Sequence, residues 1–224
     1  MGYRFLEIGR TGKNNWWRYL LTLIIVIGVG LTAGTITMAI NELFAPYAFL
    51  SLPDYIQELT DMPSLMVMLS MTLSLVFCVH KIHKRSPIAL ITSHKSIQWF
   101  RIFKGMCIWF VMLSLLTLAD FLMNPTDYTF TFEFKSFGWL LVASLIGIPF
   151  AAFVEEVFFR GYLLQAFSVI TKRHIIPIIA TSIIFGLGHY FNGVNPTLGI
   201  VNVIGCTLVG LMLGVIVVVE GGLE

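Results

Sequence analysis

Charged side chains are scarce in this sequence. Asp, Glu, Lys and Arg make up 12% of its 224 residues, whereas apolar residues make up 57%. A soluble domain averages about 25% charged residues, so this chain has too few of them to cover a surface that faces water. The composition therefore excludes a cytosolic enzyme, a disordered chain and a disulfide scaffold, and it predicts an integral membrane protein.

Strong net charge and closely spaced cysteines are also missing. The formal net charge is only +2. The positive electrostatic potential of the chain is therefore too weak to attract nucleic acid, and we expect no nucleic-acid partner. Cys78, Cys107 and Cys206 lie far apart in apolar runs. They do not form the Cys-x-x-Cys spacing of a metal or redox site. We interpret them as small buried or lipid-facing residues.

Long hydrophobic runs are what the sequence has instead. A helix that crosses a bilayer needs about 20 mainly apolar residues, and six runs approach or exceed that length. The fourth is too long for one upright crossing, and Gly147-Ile148-Pro149 marks an expected break or kink. The pattern predicts an all-α, polytopic transmembrane bundle that forms one membrane-embedded domain, 1–224. The expected spans are 19–40, 64–80, 105–123, 138–170, 175–191 and 197–219.

The basic residues indicate the orientation of the chain. They gather in segment 1–18, in loop 81–104 and in the turn after the fourth span, whereas segment 41–63 has four acidic residues and no Lys or Arg. Because basic loops stay in the cytoplasm, we expect 1–18 to be a basic cytoplasmic tail. Both termini are then cytoplasmic. His80 and His83, in the second basic loop, are interpreted as solvated interface residues.

Three ionisable residues interrupt the fourth span. A charged side chain at the centre of a bilayer costs at least about 2.5 kcal/mol, so such residues suggest a functional site. Glu156 and Arg160 are four residues apart, which favours an ion pair. Glu155 lies about 100° round the helix and stays free to meet water or a substrate. The alternative is a salt-bridged cluster that only locks helix packing.

The fifth predicted span carries a histidine, His189, close to its end. Phe185 precedes it by four residues, so the two rings can pack on one helix face. Measured from the turn at 171–174, Glu155 and His189 lie at about 24 and 22 Å along their helix axes. Two antiparallel neighbours would bring them to the same depth. Taken alone, His189 could also be a hydrogen-bonded packing residue.

Together these residues resemble the motifs of the CPBP family, the CAAX-protease and bacteriocin-processing membrane proteases also called Abi proteins. Glu155, Glu156 and Arg160 match its Glu-Glu-x-x-x-Arg motif, and Phe185 and His189 match its Phe-x-x-x-His motif. The resemblance implies hydrolysis of a peptide bond inside the membrane. It makes Glu155 the general base that activates water. It implies that His189 either stabilises the developing oxyanion or helps to position the water. Glu156 supports the site, with Arg160 as its ion partner.

The resemblance also implies the setting of the reaction. It places the motifs in a core, 138–219, of a multi-pass protein of the bacterial plasma membrane, with a peptide or protein substrate and membrane lipid as partners. One His and two adjacent Glu make a poor zinc site, because catalytic zinc usually takes three protein ligands, so we expect no cofactor, with a divalent metal as the less favoured alternative. Asn202, in the sixth span, is a candidate polar group of the cavity, or alternatively bonds a neighbouring helix.

The family's third motif, His-x-x-x-Asn or His-x-x-x-Asp on a further span, has no counterpart before Glu224. We expect the sequence to be truncated and to lack a C-terminal span. If the protein lacks that motif naturally, the alternative is a non-catalytic membrane protein of the same fold, acting in bacteriocin immunity or partner binding. A small proton-coupled carrier is a third hypothesis, because buried Glu and His also serve proton relays.

Overall fold

The protein is a bundle of helices. A computed structural model describes residues 4–44, 62–171 and 173–224. A π-helix, Val157–Leu163, joins the fifth α-helix to the sixth, and short 3-10 turns occupy Pro87–Leu90, Pro125–Asp127 and Tyr190–Asn192. The α-helices are α1 (Arg4–Ile8), α2 (Trp16–Phe44), α3 (Met62–Lys81), α4 (Trp99–Met123), α5 (Phe134–Glu156), α6 (Leu164–Thr171), α7 (Ile175–Gly188) and α8 (Pro196–Glu220).

The helices confirm a multi-pass integral membrane protein. Within the described residues, 5 stretches are long and apolar enough to span a bilayer, and the second predicted span falls on the shorter apolar helix Leu65–Lys81. Helix α4 buries none of its side chains, so in a bilayer its apolar surface would face lipid on all sides. The 5 long stretches are Trp16–Ile40, Trp99–Met123, Ser136–Thr171, Ile175–Asn192 and Pro196–Glu220.

In the fourth span, the irregular segment of the helix lies at a different position from the one predicted. Helix α5 continues through Pro149, where a break or kink was expected, so the chain does not break there, and the irregular turn is the π-helix that follows Glu156. Membrane helices tolerate proline because neighbouring groups satisfy the freed carbonyl. A side chain on Gly161, within the π-helix, would overlap the carbonyl oxygen of Leu90. Glycine there lets the turn after α3 pack directly against the backbone of the π-helix.

Helices α7 and α8 pack closely against each other. A Cβ added to Gly210 would lie 3.1 Å from Cα of Ser182, and one on Gly214 would lie 2.9 Å from Ile178. Small residues at this spacing allow the two backbones to approach. The turn expected between the fifth and sixth spans is confirmed, since the Asn195 side chain accepts a hydrogen bond of 2.9 Å from the amide of Leu198 and caps α8.

The ends of the helices that carry basic residues meet on one side of the bundle. Arg18, near the start of α2, donates to the carbonyl of Ile82, just after α3. Arg101 of α4 forms an ion pair of 2.9 Å with Glu220 of α8. These contacts place the start of α2, the end of α3, the start of α4 and the end of α8 on the same side, and the cytoplasmic orientation of that side stays a prediction. Most of the acidic segment 41–63, and Lys172 in the basic turn after the fourth span, lie outside the described residues.

The N-terminal segment packs onto this basic end instead of extending from it as a tail. Phe5 and Leu6 of α1 are fully buried in a cluster with Leu164 and Ile178. The Gln165 amide donates hydrogen bonds to the carbonyl of Phe5, at 3.3 Å, and to the carbonyl of Ala89, at 2.8 Å. Helix α1 is thereby held next to α6, the short helix that continues from the π-helix.

Candidate active site

The predicted ion pair of the fourth span is present. Arg160 Nη1 lies 2.7 Å from Glu156 Oε1, and the two side chains are 1% and 24% exposed. Glu156 is the last residue of α5, and Arg160 lies in the π-helix. A buried guanidinium needs a hydrogen-bonded anion to offset its lost hydration. The pair therefore fixes Glu156 in place and commits one of its two oxygens.

The neighbouring carboxylate, Glu155, is not held in this way. Among the residues that the structure describes, no hydrogen bond or ion pair engages it. Its side chain is half-buried, and the carboxylate lies close enough to Arg160 and to Cys206 of α8 to interact electrostatically with both. Glu155 is thus a partly buried carboxylate near α8 whose oxygens remain available to water or a substrate.

Arg160 also joins the first motif to the second. Its guanidinium carbon lies 4.2 Å from the centroid of the Phe185 ring, and the Phe159 ring meets Phe185 edge-on at 5.1 Å. A cation over an aromatic face is attracted by the ring quadrupole. The contact with Phe185 holds α7 against the π-helix. The buried Nη2 group of Arg160 remains a hydrogen-bond donor without a partner among the described residues.

His189 directly follows α7, and its ring is held by Phe185. The two ring centroids are 4.5 Å apart, and Nδ1 lies 2.8 Å from the Phe185 carbonyl oxygen. Because a carbonyl only accepts, Nδ1 must carry a proton. Nε2 is then the nitrogen left for chemistry. It accepts a hydrogen bond when the imidazole is neutral and donates one when it is protonated.

The two motifs therefore meet through one continuous chain of contacts, from Glu156 to Arg160, Phe185 and His189. The contacts show that the two spans are neighbours, and the equal depth of Glu155 and His189 stays a prediction. Asn202 is half-buried on α8 and takes part in no hydrogen bond within the described parts of the chain. The interhelical bond that was the alternative for Asn202 is not seen there, and its role in the cavity stays a prediction.

Few side chains at the candidate site could bind a metal ion. In segments 4–44, 62–171 and 173–224, no group of three or more His, Cys, Asp or Glu residues is placed to hold a metal ion. One oxygen of Glu156 is engaged by Arg160, so the site offers Glu155, Nε2 of His189 and the second oxygen of Glu156. Catalytic zinc usually takes three protein ligands, and Glu156 would have to share its carboxylate with Arg160 to be one of them. The expectation of a metal-free site stays a prediction.

A second polar cluster was missed from the sequence. His83 was expected to be solvated, and this is wrong, because its side chain is only 1% exposed. Its ring packs on Tyr19 with centroids 4.6 Å apart. Its Nε2 lies 3.1 Å from the Tyr162 hydroxyl and its Nδ1 lies 3.1 Å from the Lys13 carbonyl.

The His83 cluster ties the motif helix to the N-terminal segment. Tyr162 lies two residues after Arg160, and Lys13 precedes α2. Burial, reinforced by the positive charge of Arg85, lowers the pKa of His83 to about 4. His83 is therefore neutral near pH 7 and serves as a hydrogen-bonded link. His80, one turn earlier, is exposed as expected.

Comparisons with known proteins agree with the resemblance that the motifs carry. Residues 137–224 match the model of a family described as type II CAAX prenyl endopeptidase Rce1-like. The chain is also 31% identical over 190 residues to a protein of Bacillus subtilis (strain 168) named "Uncharacterized protein YyaK". That match covers 81% of this chain and 63% of the relative. No solved structure matches the chain significantly.

Proposed function

We propose that this membrane protein is an intramembrane endopeptidase that hydrolyses a peptide bond with a water activated by Glu155. The match of residues 137–224 to the model of Rce1-like type II CAAX prenyl endopeptidases supports this activity.

One observation carries the proposal: of two adjacent carboxylates in an apolar span, one forms an ion pair and the other does not pair with any described residue. Glu156 is held by Arg160 at 2.7 Å, whereas Glu155 has no such partner within the described residues. A salt-bridged cluster with a purely structural role explains Glu156 and Arg160. It leaves Glu155 as a partly buried carboxylate that contributes only a desolvation cost. A general base has to be free in this way, since its oxygen must receive a proton.

The contacts support different roles for Glu155 and His189 in the reaction. Glu155 accepts a proton from water while the water oxygen attacks the carbonyl carbon of the peptide bond, and the same proton then passes to the leaving amine nitrogen. His189, with its Nδ1 proton committed to the Phe185 carbonyl, presents Nε2. A neutral His189 accepts a hydrogen bond from the attacking water and orients it. A protonated His189 would instead donate to the oxyanion.

The remaining residues position these two groups. Arg160 fixes Glu156, and through the Phe185 ring it sets the place of α7 and hence of His189. We propose that no metal takes part, because Arg160 holds one oxygen of Glu156 and, within the described residues, no group of three or more His, Cys, Asp or Glu is placed to hold a metal ion. The substrate is proposed to be a peptide or protein of the CAAX-processing class, in keeping with the family description. The relative from Bacillus subtilis supports a bacterial plasma membrane as the location.

The experiment compares new peptide termini in cells that make wild-type protein, Glu155→Gln or Glu7→Gln. Glu7 is an exposed carboxylate in α1, outside the site, so its variant is the matched control for loss of one charge. Membrane proteins are extracted and their N-termini are labelled and counted by mass spectrometry. We expect termini that appear with wild type and Glu7→Gln and vanish with Glu155→Gln at equal expression. The same termini with all three proteins would favour partner binding or immunity instead of proteolysis.

A further inference from the structure

A basic cleft lies at the end of α3, outside the candidate active site. It has a volume of about 480 Å³ and is lined by His80, Lys81, Lys84, Arg85, Ser86 and Pro87. Three of these side chains are permanently cationic near pH 7, and none is acidic. Such a cleft attracts an anion, and at the basic end of a membrane bundle it lies where lipid headgroups are found.

The burial of Arg85 distinguishes this cleft from an ordinary patch of solvent-exposed basic residues. The residue is only 5% exposed. Its Nη1 donates to the Gly9 carbonyl at 3.1 Å, but within the described residues its Nε has no hydrogen-bond partner and no carboxylate forms an ion pair with it. A buried guanidinium without an anion is unfavourable. An anion that enters the cleft would complete it.

An apolar groove adjoins the basic cleft. It has a volume of about 230 Å³, and its lining includes Thr72 and Val76 of α3, Ile88 of the following turn, Phe153 of α5 and Val157 of the π-helix. Pro87 lines both the cleft and the groove. A cationic cleft and an apolar groove that share a wall fit an amphiphile, with its phosphate in the first and a hydrocarbon chain in the second.

We propose that this pair of cavities is a binding site for one anionic phospholipid, with its phosphate on Lys81, Lys84 and Arg85 and an acyl chain along Val76 and Ile88. A free phosphate would fill the cleft but leave the groove empty. The lining of the groove reaches Val157, the residue after Glu156, so the bound acyl chain would pack against the helix that carries the ion pair. The proposal does not depend on the hydrolytic activity.

The test measures lipid binding to the full chain in a neutral detergent by native mass spectrometry. The probes are palmitoyl-oleoyl phosphatidylglycerol, phosphatidylcholine with the same acyl chains, and inorganic phosphate as a competitor. The charge variant is Lys81→Gln with Lys84→Gln. Its matched control is Lys95→Gln with Lys104→Gln, which removes the same charge from exposed lysines of the same basic loop but outside the cleft. Ile88→Asn alters the groove and leaves the charge unchanged.

We expect one equivalent of phosphatidylglycerol to bind in preference to phosphatidylcholine and to resist millimolar phosphate. The Lys81 and Lys84 variant should weaken it about 30-fold, since each cation near a headgroup is worth about a fivefold factor. Ile88→Asn should weaken it several-fold, and the control should bind like wild type. Equal loss in the control variant would overturn the proposal. So would displacement by phosphate with no effect of Ile88→Asn, which would identify a simple anion site.

Discussion

Replacing Arg160 by Met tests whether the ion pair holds the two motifs together. Met keeps the apolar stem of the side chain and removes the charge. Breaking a buried pair by removing one partner destabilises a protein by about 3–5 kcal/mol. Glu156 is 24% exposed and can be partly hydrated once it is alone, which favours the low end of that range. Loss of the cation over the Phe185 ring adds about 1 kcal/mol. We expect Arg160→Met to lower the free energy of unfolding by about 4 kcal/mol.

The assay is reversible unfolding in mixed micelles, driven by added dodecyl sulfate and followed by the fluorescence of the five tryptophans. Glu156→Gln and the double variant complete a double-mutant cycle, which isolates the coupling between the two side chains. We expect a coupling free energy of at least about 1.5 kcal/mol. Glu155→Gln is the matched control, because it makes the same chemical change at the adjacent residue, which forms no ion pair with any described residue. It should cost less than about 1 kcal/mol.

Two results would refute this reasoning. The first is a cost for Arg160→Met that does not exceed the cost for Glu155→Gln. The second is additive behaviour of Arg160→Met and Glu156→Gln, with no coupling between them. Either would mean that the contact of 2.7 Å does not stabilise the site, and that the motifs are held by other packing.

Three further predictions concern the pH dependence, the helix packing and the chemistry. The folded pKa of His83, about 4, lies below its ordinary 6.5, so the unfolded chain takes up a proton first as the pH falls. The stability that neutral His83 gives is full only about one pH unit or more above 6.5. About 2 kcal/mol of it is lost between pH 7.5 and pH 5, and unfolding of His83→Gln should lack this loss. A side chain on Gly186 would overlap Thr207 Oγ1, so Gly186→Ala should destabilise the chain by about 1–3 kcal/mol. Gly205→Ala, with open space around it, should not destabilise it, and thermal unfolding of the two variants distinguishes these outcomes. If the site is metal-free, treatment of purified protein with a chelator should leave its peptidase rate unchanged, whereas loss of the rate with recovery on adding Zn²⁺ would contradict the metal-free mechanism.

The parts of the fold that follow from local pattern could be predicted from the sequence. The spans were recognisable because a bilayer demands about 20 apolar residues in a row. The pair of Glu156 and Arg160 was recognisable because residues four apart face each other on a helix. Counting residues from the shared turn predicted that the two motif spans are antiparallel neighbours, and the contact of Arg160 with Phe185 agrees with that arrangement.

Other features depend on contacts that no local pattern encodes. His83 lies in an irregular loop, and its burial comes from Tyr19 and Tyr162, which are 64 and 79 residues away in the sequence. Pro149 suggested a break, yet neighbouring structure lets α5 continue, and the π-helix appears after Glu156. The one sequence signal for the buried cluster was Tyr162 itself, a polar group in an apolar run two residues after Arg160.

The role of Glu155 as the base that activates water is tested most directly by the cleavage rate of the purified chain in lipid vesicles. The substrate is a protein identified by termini that appear only in cells with wild-type protein. General-base catalysis contributes about 10²–10⁴-fold to a rate, so Glu155→Gln should slow cleavage by at least about 100-fold while its unfolding free energy stays close to that of wild type. A Glu155→Gln protein that cleaves within a few-fold of the wild-type rate would contradict the mechanism.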